Sequence, residues 1–245
     1  MSRARETAPR LILASASPSR RDILTQAGIE FEVVVSDVDE RAVVEAAVEA
    51  GGPLSPAEEA QLLAEVKAED VAAKPEARGA LVLGCDSVFE LDGAAYGKPY
   101  EVEVAVARWQ QMRGRIGILH TGHALVDAGS AATTSQHSWL GSAALASGPL
   151  GVPENTLNSV GETVSSHITF GHPTDEQIRA YCASGEPLHC AGAFTLEGGA
   201  ATFIEKVEGD REAVIGVSPA ALARLLEQLG HDLRTYRSRP EGTTS

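Results

Sequence analysis

Three Ser-Pro dipeptides, at residues 17–18, 55–56 and 218–219, constrain this chain more than any other feature. Serine can accept a hydrogen bond from the free N–H groups of a helix's first turn. Proline at the first helical position gives up an N–H that had no partner there. Each pair therefore marks a helix start. After the first, Ile23, Leu24 and Ala27 follow at helical spacing, and Gly28 fits the stop. After the others, "AEEAQLLAEVKAEDVAAK" and "AALARLLEQLG" continue as helices. "GKPYEVEVAVARWQQMRG" and "TDEQIRAYCASG" supply two more.

Between the helices lie apolar runs of strand length: "RLILA", "IEFEVVV", "ALVLGCDSVFEL", "IGILHTGHALV", "TVSSHITF" and "ATFIEKVEG". The run from Ala80 to Leu91 lacks full alternation, as a strand covered on both faces should. Strands alternating with helices favour an α/β sheet with helices packed against it. One domain over 10–230 is expected, with loose tails at 1–9 and 233–245. Residues 129–160, rich in Ser, Gly, Ala and Thr, read as a loop insertion.

The net charge of −14 argues against nucleic acid or an anionic membrane as a partner. It leaves room for a small anion wherever basic residues are concentrated. Three cysteines, Cys85, Cys182 and Cys190, form no CxxC pair, so neither a disulfide framework nor a zinc site is suggested. With no long apolar run, a cytoplasmic protein is expected.

The candidate chemistry begins at the first helix. Ser15, Ser17, Arg20 and Arg21 gather hydroxyls and guanidinium groups at its positive end, which suits a phosphate, although an ordinary capped helix with solvated arginines would read the same way. Asp86 follows "ALVLG", where a carboxylate would stand at the end of a buried strand. "DGAAYGKP" misses the P-loop pattern by one residue and by the proline after Lys98, so Lys98 could offer at most a single charge from a turn. Lys67, among Glu65, Glu69 and Asp70, looks by itself like an ion-paired helix surface. In the pairs His120/His123 and His167/His172, odd spacing puts the partners on opposite strand faces, so neither pair should share a metal. The acidic residues, as hard oxygen donors, would suit Mg²⁺ or Mn²⁺.

Taken in order, "LASASPSRRDIL", "SDVDE", "LAEVKA", "GCDSV", "GKP", "TGHAL", "SGEPLHCAGAFTLEG" and "EGDREAVIG" resemble the successive blocks of the Maf family of nucleotide pyrophosphatases, in the wording of an actinobacterial branch. The resemblance implies an elongated mixed β-sheet flanked by helices, in two lobes with a deep cleft, as in inosine-triphosphatase-like folds. It implies hydrolysis of a nucleoside triphosphate between the α and β phosphates, a divalent cation and a homodimer, with a suggested link to halting septum formation. By position, Ser15, Ser17, Arg20 and Arg21 match the phosphate-binding turn. Glu40, Lys67 and Lys98 match the family's acidic residue and two lysines, and Asp86 the proton acceptor, with Asp86 and Glu40 also the candidate metal ligands. His189 and Glu197 stand where a base or ribose could be read. The chain departs from the family pattern at Ser19, His189, Cys190 and Glu197, so the base is less constrained than the reaction. A nucleotide-binding regulator of cell division with weak catalysis is the alternative.

Overall fold

The protein is described by a computed structural model covering residues 8–129 and 158–237. The chain forms β1 (Leu11–Leu13), α1 (Pro18–Gln26), β2 (Glu32–Val33), α2 (Glu40–Gly51), α3 (Pro56–Ala72), β3 (Leu81–Leu91) and β4 (Ala94–Tyr96). It continues through α4 (Val102–Met112), β5 (Ile116–Asp127), β6 (Asn158–Phe170), α5 (Asp175–Ala183), β7 (Ile204–Glu208), α6 (Arg211–Ile215) and α7 (Pro219–Gln228). The three Ser-Pro pairs open α1, α3 and α7. In each, the serine side chain accepts a backbone N–H three residues on, from Arg20, Glu58 and Ala221.

The seven strands form one mixed sheet in the order β2-β1-β3-β5-β6-β7, with β4 also on β3. β2, β1 and β3 run parallel, and the remaining pairings are antiparallel. The register explains how the site is built. β5 accompanies β3 along all but its last residue, from Leu81 to Glu90. On the other edge β1 pairs only as far as Leu83, and β4 pairs only from Phe89. Between them, no strand covers that edge of β3 among the described residues. A cleft opens at this gap.

Helix α3 lies unusually close to the sheet because two strand glycines face it. A Cβ on Gly84 would stand 2.1 Å from the Ala64 carbonyl oxygen, and one on Gly122 would stand 2.3 Å from that of Ala60. Backbone packs directly on backbone there, which only glycine permits. Around this contact the core divides by composition. Aliphatic clusters fill both faces of β1 and β3: Leu11, Leu13, Leu81 and Leu83 pack with α1 and α7, and Ile12 and Val82 pack with α3. At the other end of the sheet, Phe89, Trp109, Phe170, Tyr181 and Phe194 pack edge to face, with ring centroids 5.3–5.8 Å apart.

Several sequence expectations are corrected. α2 was not foreseen. Val43, Val44, Ala47 and Val48 stand at helical spacing, but none of them is fully buried, so the stripe rests on the body without entering the core. The insertion read over 129–160 lies mostly outside the described residues. Its last three residues begin β6, where Asn158 pairs with Asp127. Strand pairing there overrides a Ser- and Gly-rich composition. The tail read from 233 contains a short 3₁₀ turn, Leu233–Tyr236, with Tyr236 buried and Arg237 bridged to Ile29. A single aromatic anchor is enough to dock it.

Candidate active site

The cleft encloses about 510 Å³, within the range of small-molecule sites. Several segments converge on it, among them the turn between β1 and α1, the unpaired stretch of β3, the approach to α2, and Lys98 with the loop from His189 to Thr195. The first turn is drawn in by hydrogen bonds. Ala14 N–H bonds the Leu83 carbonyl where β1 ends. Ser15, 7% exposed, then accepts the Ser17 N–H. One helical step separates Arg20 from Arg21, about 100° around the axis. Arg20 therefore lines the cleft, while Arg21 is exposed and is not among the lining residues. The geometry gives no support to Arg21 as a phosphate contact.

Arg20 is fixed on all three of its nitrogens. Nε donates to the Gly216 carbonyl at 2.8 Å, Nη1 to Ser15 Oγ at 3.1 Å, and Nη2 to Ser87 Oγ at 3.4 Å. The Thr121 hydroxyl donates to the Ala213 carbonyl, so Ser87 must be the donor in the 3.0 Å contact between the two hydroxyls. A one-way chain thus runs from Arg20 through Ser87 and Thr121 into the start of α6. Ser87 was overlooked in the sequence. Its signal is simple alternation: it follows Asp86, so it faces the other side of β3 at the same open edge.

Asp86 was expected at a strand's end but sits within β3. The expectation fails in detail because β3 continues for five more residues. It holds in substance because β1, its parallel neighbour, has already ended. On that face α3 presents Lys67, whose Nζ lies 2.5 Å from Asp86 Oδ1 and 2.7 Å from Glu40 Oε1. Lys67 and Asp86 are each only 8% exposed. Lys67 is therefore no surface lysine: it joins a carboxylate of β3 to the first residue of α2. Burial works against ionisation of Glu40. The bonded Lys67 ammonium and the more distant Lys98 and Arg20 together outweigh that effect and hold the carboxyl below its usual range.

The remaining sequence candidates divide. Ser17, Lys98 and His189 line the cleft; Glu197 is exposed and outside the lining. Ser19, Ser36, Cys190 and Thr195 do line it. The histidine pair on β5 splits across the sheet as its spacing required. His120 bridges Glu90 and Ser165, and His123 accepts the Ser218 N–H at 2.9 Å. Among the described residues, no group of three or more His, Cys, Asp or Glu side chains is placed to hold a metal ion. Nor is any helix long and apolar enough to cross a membrane.

An arginine, two lysines, hydroxyls and a helix N-terminus thus gather with a lysine-paired carboxylate at one cleft of an α/β fold, an arrangement suited to an anion beside a candidate proton acceptor. The chain belongs to the Maf-like protein family, whose model matches residues 10–229. It is 50% identical to a protein of Streptomyces coelicolor, with 90% of this chain and 91% of that one covered, and 48% identical over the same shares to one of Streptomyces avermitilis. A relative in Trichormus variabilis is 40% identical, with 92% and 96% covered. All three relatives carry the name nucleoside triphosphate pyrophosphatase.

Proposed function

We propose that the protein hydrolyses nucleoside triphosphates to the monophosphate and pyrophosphate. The observation that carries this reading is the convergence of Arg20 and the Lys67–Asp86–Glu40 cluster on one cleft at the uncovered edge of β3. Arg20, the first turn of α1 and Lys98 bind and orient the phosphates, neutralising oxygens that would otherwise repel a nucleophile. Asp86 accepts a proton from water as its oxygen bonds to the α phosphorus. The bridging bond to the β phosphate breaks, and pyrophosphate leaves with the electron pair. Lys67, bonded to Asp86 Oδ1, holds that carboxylate in orientation for the transfer.

A divalent cation fits this donor set. Asp86 and Glu40 turn one oxygen each toward Lys67 and retain a second. Two carboxylates combined with substrate phosphates are the usual holding set for Mg²⁺. When bound, the ion would supply further neutralisation of phosphate charge.

Product analysis tests the reading. The purified chain is incubated with dTTP, UTP, CTP, GTP, ATP and base-modified triphosphates, with Mg²⁺ and then Mn²⁺. Pyrophosphate and monophosphate are expected for a subset. Orthophosphate as first product overturns the reading, and binding without turnover over either metal transfers it to a nucleotide-binding regulator. The homodimer implied by the family resemblance is tested on the same preparation by its mass in solution.

A further inference from the structure

Tyr100 combines three properties that are hard to reconcile with a merely structural residue. It is 63% exposed, more than any other large hydrophobic residue described. Its φ is +60°, a backbone conformation costly for any residue bearing a Cβ. Its ring nevertheless contacts another ring, that of His189, at 6.0 Å between centroids and 69° between planes. The conformation is imposed by the chain on either side. Tyr100 N–H donates to the Leu188 carbonyl, and Gly192 N–H donates to the Gly97 carbonyl. These bonds clamp segment 97–100 against segment 188–192, with Lys98 between them.

His189 and Lys98 both line the cleft, and the rings of His189 and Tyr100 meet edge to face. Tyr100 follows Lys98 by two residues, a reach of at most about 7 Å, comparable to the span from a nucleotide's phosphate to its base. A nucleotide with a phosphate at Lys98 is long enough to reach this pair of rings with its base.

We propose that Tyr100 and His189 form the nucleobase wall of the cleft, with the base stacked on His189 and Tyr100 holding that ring upright and extending the surface outward. The proposal rests on the nucleotide reading of the site. It assigns recognition of an aromatic base to a residue, Tyr100, outside those that line the cleft. Stacking is tolerant of base identity, since every base has a π face. The wall accordingly contributes affinity, and discrimination falls to polar neighbours such as Thr195.

The test compares a ligand that has a base with one that does not. Steady-state constants are measured for UTP, CTP, GTP and ATP, and the inhibition constant for inorganic tripolyphosphate, in the wild type, Tyr100→Gly, Tyr100→Trp and His189→Ala. Losing one stacking contact corresponds to about fivefold or more in affinity. Tyr100→Gly and His189→Ala should raise KM by at least about fivefold for the nucleotides turned over, with kcat and the tripolyphosphate constant within about twofold. Tyr100→Trp should stay near wild type. Tyr100→Gly should melt no lower than wild type, because glycine accepts φ +60° freely. An unchanged KM, or an equal loss for tripolyphosphate, overturns the proposal. If the wild type releases no pyrophosphate, the functional reading fails by itself. Calorimetry of wild type and Tyr100→Gly with the same ligands then decides the wall separately.

Discussion

On one side of the cleft Arg20 is held at three nitrogens, and Lys67, on the helix that packs backbone to backbone on β3, is held by two carboxylates. On the other side Lys98, Tyr100 and His189 are exposed, on turns where Tyr100 and Ala193 both take positive φ. The first wall spends hydrogen bonds to remove freedom from its charges. The second keeps its side chains at the surface and concentrates its constraint in the backbone. A reacting phosphorus needs charges fixed in advance, since misplaced charge loses transition-state stabilisation directly. A flat base needs only a surface in the right plane.

The sharpest way to break this contrast is to remove one atom's chemistry from the first wall. Asp86→Asn keeps the shape and the contact with Lys67 but cannot accept a proton. Turnover should fall by about 10²–10⁴-fold, the usual worth of a positioned base, with melting temperature little changed. A variant retaining wild-type kcat would transfer the proton to another group and dissolve the distinction between the walls.

Gly84→Ala attacks the support rather than the charge. Its Cβ meets the Ala64 carbonyl at 2.1 Å, so α3 must move off the sheet and carry Lys67 from Asp86. Overpacking of this kind costs about 1–3 kcal/mol, readable in denaturant midpoints, and activity should fall beyond the loss of folded protein. Unchanged stability would show that α3 slides freely on β3.

Gly216→Ala is milder. The new Cβ would lie 3.1 Å from Arg20 Nε, against a side chain rather than backbone, although φ +146° adds backbone strain. The guanidinium should shift, raising KM for nucleotide and the inhibition constant of tripolyphosphate together, by several-fold. That pattern is the reverse of the one expected at Tyr100, where only ligands with a base respond. Equal responses at both positions would mean that the cleft has one wall in energetic terms.

Much of the first wall was legible in the sequence because its devices are local. Ser17-Pro18 must start a helix, an apolar run precedes it, and Arg20 follows within one turn. The reach of Lys67 was illegible from spacing alone: its neighbours are acidic, and only the close approach of α3 at Gly84 and Gly122 turns it inward. Those glycines lie inside "GCDSV" and "TGHAL", so the family blocks carried a packing requirement that periodicity does not express. The second wall was the least legible part. Tyr100 belongs to a turn whose φ depends on bonds to residues 88 positions away, from Tyr100 N–H to the Leu188 carbonyl, and Glu197, chosen by position, lies outside the cleft.

The smallest expected effect tests whether the charge network stabilises the fold as well as the reaction. Glu40 has its folded-state pKa held below the ordinary value of 4.5. A carboxyl with a depressed pKa contributes stability that is fully present above its unfolded pKa, and that is lost as pH falls through the folded one. As pH falls below that ordinary value, the wild type should therefore lose stability through this group. Glu40→Gln, which cannot titrate, should lose less over the same fall. The carboxylate is partly solvated, so screening limits the difference to under about 1 kcal/mol, measurable as a divergence of denaturation midpoints between the two proteins. His189→Ala, on the opposite wall and outside any ion pair, should follow the wild-type slope. If Glu40→Gln follows it too, the Glu40–Lys67 contact adds nothing to folding, and α2 is tied to the body by other means.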